Sequence, residues 1–76
     1  MIREHDDVVL TQDISNAPLQ AGDLGTVVHI HAGSVAYEVE FMTLTGETVA
    51  IATVLASQLR PVRSNDISHV RVLAIG

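Results

Sequence analysis

The chain has 76 residues, nine Asp and Glu against four Arg, no Lys and no Cys, for a formal charge of −5. That length allows one domain, and a domain so small buries only roughly 60% of its unfolded surface. The missing cysteines exclude a disulfide or thiolate-zinc staple, the scarce basic residues argue against nucleic acid or an anionic membrane surface, and oligomerisation remains the common route to extra stability.

From the N-terminus, MIREHDDVVL carries acids at once and lacks a long apolar core, so it does not read as a signal peptide. No run approaches the roughly 18 apolar residues of a membrane span, and a soluble, cytoplasmic protein is expected. Period-2 patterns rich in Val, Ile and Thr dominate, predicting an all-β chain. Residues 7–11 form a first strand and 12–21 a long loop with Pro18. Residues 24–31, 35–42 and 47–54 form three further strands, with a turn at 43–46 that suits a positive φ at Gly46. Residues 56–59 make one helical turn and 60–62 a short fifth strand. A polar break at 64–66 precedes a sixth strand over 68–75. Residues 1–62 thus form a small SH3-like barrel, and 63–76 a C-terminal extension within the same domain.

The stretch GDLGTVVHIH poses the main chemical question, because His29 and His31 stand two apart on one strand face. With Gly33 and Ser34 as a two-residue loop, Ile30 faces Tyr37 and Val28 faces Val39 on an apolar face that includes Phe41. The other face pairs His31 with Ala36, His29 with Glu38 and Val27 with Glu40. His29, His31 and Glu38 could supply a two-histidine, one-carboxylate metal site, but an outward His–Glu pair is the expected arrangement, and no cofactor or metal is expected. The serines show no nucleophile-elbow pattern. His5 and His69 read as solvated terminal residues, and the adjacent acids Asp6 and Asp7 point to opposite faces. Gly22 and Gly25 flank a turn that enters a strand, whereas a phosphate-cradling loop needs a following helix.

The blocks DVVLTQD, LQAGDLGTVV, AYEVEF and GETVAIATVLASQLRPV, in that order and spacing over about 7–62, resemble the small bacterial proteins grouped as domain-of-unknown-function 4926. The resemblance implies an SH3-like barrel and offers no catalytic residues. The turn GDLGTV also resembles that of KOW-type domains, without the basic residues an RNA-binding KOW module carries. Residues 63–76 lie beyond the family's usual end.

Two apolar segments ask for a cover. The run TVAIATVLA has no polar face, and the tail HVRVLAI is strand-like in composition. Val49 and Ile51 in the first, and Val70 and Val72 in the second, are the candidate interface residues, with the tail the stronger candidate. The expected function is a non-enzymatic protein-interaction module that self-associates as a homo-oligomer, most simply a symmetric dimer. The alternatives are an antitoxin-like acidic partner of a basic protein, or a small-molecule or metal-binding domain. An enzyme completed at an oligomer interface ranks last.

Overall fold

A computed structural model describes residues 1–15 and 17–73. Five strands form one antiparallel sheet: β1 (Asp7–Leu10), β2 (Leu24–Ile30), β3 (Ala36–Met42), β4 (Thr48–Leu55) and β5 (Leu59–Pro61), ordered β4-β3-β2-β1-β5. The predicted helical turn is a 3-10 turn over Ala56–Gln58. The sheet curls on itself. Val54 of one edge strand and Leu59 of the other belong to a single core with Val8, Leu10, Val27, Tyr37, Val39 and Phe41, as an SH3-like barrel requires. Among the described residues no helix is long and apolar enough to cross a membrane.

The histidines do sit outside, with His29 opposite Glu38 and Ile30 opposite Tyr37. The rest of the expected hairpin register is corrected by a bulge at Val28. Val27 takes the place opposite Val39, and Thr26 the place opposite Glu40. Val27 is fully buried and Val28 is 37% exposed, the reverse of the expected inward face. The physical cause lies on the β1 side. Gly25 pairs with Val8 and turns inward, so the odd-numbered positions of β2 must face the core there. One extra residue then restores Ile30 to the inside. Gly25 leaves room for its neighbours, since a Cβ built on it would stand 2.5 Å from Val39 Cγ1 and 2.8 Å from Phe41 Cε1.

The long first loop folds back through an isolated bridge between Ile14 and Leu19, which adds buried Leu19 to the core. It closes on a tight turn at Gly22, whose φ of 93° suits glycine. Gly46, at φ 90°, closes the β3–β4 turn, as the sequence predicts, with Gly46 N–H donating to Thr43 O at 2.9 Å.

Over its described residues, 68–73, the predicted sixth strand is not formed. Residues 62–73 follow an irregular path back over the barrel, and positions 74–75 of the predicted strand lie outside the described residues. This strap is fixed by side chains. Arg60 makes a bidentate pair with Asp66 at 2.8 and 2.9 Å. Arg71 makes another with Asp23, its Nε donating to Oδ1 at 2.8 Å and its Nη2 to Oδ2 at 2.6 Å. Two charged clamps set the path where backbone pairing does not.

Candidate interaction surface

The outer face of β1 to β4 is a polar lattice. Outward positions align in rows across the strands, because side chains on one sheet face repeat every second residue. One row runs Asp7, Thr26, Glu40, Ile51 and the next His29, Glu38, Thr53. Thr26 Oγ1 donates to Asp7 Oδ1 at 3.1 Å, and Thr48 Oγ1 donates to Glu40 Oε2 at 2.7 Å. Glu38 lies 2.6 Å from His31 Nε2, a diagonal contact, although its register partner is His29. Thr53 Oγ1 donates to the same carboxylate at 2.8 Å. The hydrogen bond from His31, then that from Thr53, hold the Glu38 carboxyl below its ordinary value. The His29 ring stands edge-on to His31, with centroids 5.4 Å apart. Among the described residues no three His, Asp or Glu side chains converge as a metal-holding group. His31 spends its Nε2 on Glu38, so this trio is arranged as a hydrogen-bonded surface pair beside a second ring.

Behind the strap lies a half-open groove of about 690 Å³. Val9, Leu24, Phe41, Met42 and Val49 line it from the barrel, and Ile67 and Val70 from the strap. The clamps bound it. Burial raises the Asp23 carboxyl, but the hydrogen bonds from Arg71 and from Gln20 N–H outweigh it, so Asp23 sits below its ordinary value. The Arg60 hydrogen bond, with Arg63 N–H, pulls Asp66 down strongly. Val9 and Leu24 share this groove with the strap, although Leu24 is still 55% exposed.

Of the four interface candidates, Val49 and Val70 meet at this groove, whereas Ile51 and Val72 stand outside its lining. Val49 is partly buried against the core, because it is the extra residue of a bulge between the Phe41–Ala50 and Met42–Thr48 pairs. Val70 and Val72 are 66% and 90% exposed on the strap. Ile51 is 60% exposed on the outer face of β4, and Leu55, which sequence reasoning passed over, is 52% exposed on the same face beyond Thr53. Strict alternation from Ile51 could have found Leu55.

The two ends of the sheet differ. β5 has three residues, ends in Pro61 and leads into the strap, all features that blunt an edge. β4 has eight residues, and among the described residues no strand pairs with it on its far side. From Thr48 to Leu59 the chain carries neither acid nor base.

Neither a curated protein nor a solved structure matches the chain. A family model does, over residues 4–61, from just before β1 to the last residue of β5, so the barrel without its strap is the shared unit. The chain belongs to the family described as Domain of unknown function (DUF4926).

Proposed function

We propose that the protein is a non-enzymatic interaction module that self-associates, and that its contact is the free edge of β4. The observation that carries this reading is the length and neutrality of that edge. A long, uncharged, apolar edge strand is a template for pairing, and stable proteins cover it, charge it or use it. The tail, favoured from composition, gives way to β4 because its described residues form no strand and are clamped to their own barrel. Self-association also answers the small core, since a partner strand adds neighbours to Ile51 where, among the described residues, no further strand of the same chain does. Sedimentation equilibrium of the full chain over a wide dilution series tests it. A concentration-dependent dimer supports the reading, and a monomer at every concentration refutes it.

A further inference from the structure

One ladder bond fixes the amide directions of β4. Ala56 N–H donates to Val35 O at 3.0 Å, and so brackets the Ala36–Leu55 pair. In an antiparallel ladder, a pair bracketed in this way turns its own N–H and C=O away from the neighbouring strand, and the directions alternate. Leu55 agrees, because its N–H donates outward to Gln58 Oε1 at 2.9 Å. The register is unbroken from Ala36 to Phe41, so Thr53 and Ile51 also aim their amides at the open side. The edge is closed at both ends. Gln58 occupies the Leu55 amide, and the bulge at Val49 breaks the regular edge at the other end. The open window is residues 50–54, with Ala52 at its centre.

Given the self-association proposed above, we infer that two copies join their β4 edges antiparallel about a two-fold axis at Ala52. Ile51 of each copy then pairs with Thr53 of the other. This register uses both free amides of each edge, makes four backbone hydrogen bonds and leaves the Gln58 cap intact. The neighbouring register about Thr53 would pair Ile51 with Leu55 and would have to displace that cap. Charge permits a second copy of this acidic chain here. Across the seam a row runs Glu38, Thr53, Ile51 of the second copy and Glu40 of the second copy, following the rows within one sheet. The facing carboxylates are three strand spacings apart, about 14 Å, which exceeds the Debye length of about 8 Å at physiological salt. Gln58 is thus a positioning residue that selects the register.

The test is amide hydrogen exchange, read residue by residue on the full chain at both ends of the dilution series. Protection of Ile51 and Thr53 that rises with concentration, with Leu55 unchanged, is the expected pattern. A dimer in which Ile51 and Thr53 exchange equally fast at both ends overturns the two-fold at Ala52 while leaving self-association standing. A monomer throughout overturns both. Thr53→Pro removes one outward amide per edge and so two of the four seam bonds, at a position where an edge strand tolerates proline. The folded variant is expected to be monomeric over the whole series, and a folded dimer would overturn the inference. Should Thr53→Pro fail to fold, the exchange pattern of the unaltered chain decides alone.

Discussion

Replacing Gly25 with alanine adds one methyl group to a space that Val39 and Phe41 already fill. The new Cβ would stand 2.5 Å from Val39 Cγ1 and 2.8 Å from Phe41 Cε1, distances at which something must move. Neither neighbour has an easy retreat, because Val39 is fully buried and Phe41 is 3% exposed. Val39 is also β-branched, which restricts its rotamers. Overpacking of this kind costs about 1–3 kcal/mol. In a domain of this size each kcal/mol lowers the melting temperature by about 4–8 °C, so a drop on the order of 10 °C is expected by calorimetry or circular dichroism. A double-mutant cycle identifies the cause. Val39→Ala alone removes two methyl groups, at roughly 0.8 kcal/mol each before any cavity cost. Combined with Gly25→Ala it also removes the shorter of the two clashes, leaving that with Phe41, so the double variant should lose less than the sum by roughly 0.5–1 kcal/mol. Strict additivity, or an unchanged melting temperature for Gly25→Ala, would refute the packing argument.

Four further outcomes follow from the same geometry. Replacing His29 and His31 together with threonine should move stability by no more than about 0.5 kcal/mol, as for ordinary surface positions, and micromolar zinc should leave the melting temperature of the unaltered chain where it is. Arg71→Ala should speed proteolytic cleavage within residues 62–73 and lower the melting temperature slightly, and cleavage at the original rate would show that the clamp does not hold the strap. Asp23 and Asp66 have folded pKa values depressed below 3.8. The stability they contribute is therefore present above about pH 4 and lost as pH falls through their folded values, so the Arg60 and Arg71 side-chain resonances should shift on acidification below pH 4. Truncation after Val62 should leave a folded but less stable barrel that still self-associates, whereas loss of the dimer from an intact barrel would move the contact to the strap.

Strand content was legible because Val, Ile and Thr crowd each predicted strand and period-2 patterning dominates along the chain. The outward histidines were legible because the β2–β3 register nearest the turn is regular. What failed lies where alternation is interrupted without a local signal. Nothing in Val27-Val28-His29 marks a bulge, since the reason for it is Gly25 turned inward opposite Val8 on β1. Val49 is a second such case, a valine read as an interface candidate that the β4 bulge turns against the core. The tail misled because Val, Leu and Ile suit a strand equally as well as a strap. The residue that decides between them, Arg71, acts on a carboxylate 48 positions away. The edge of β4 was half visible. Its neutrality could be read directly, but the Gln58 cap depends on a 3-10 turn that brings a side chain back to the amide three residues before it.

Asp23 serves three backbone segments at once. Its carbonyl accepts Leu10 N–H at 2.9 Å, its Oδ2 accepts Gln20 N–H at 2.9 Å, and both carboxylate oxygens receive Arg71. The first two contacts lie inside the family's span and the third lies beyond it. The carboxylate is thus oriented by the loop turn before the strap arrives, so docking the strap orders the arginine but needs no rearrangement at the aspartate. A socket already set by the barrel lets a single arginine moor an extension of irregular backbone. It also makes the pair unequal under mutation. Losing Arg71 releases the far end of the strap and its hydrogen bond to Pro18 O, whereas losing the Asp23 carboxylate loosens that end together with the turn that feeds β2.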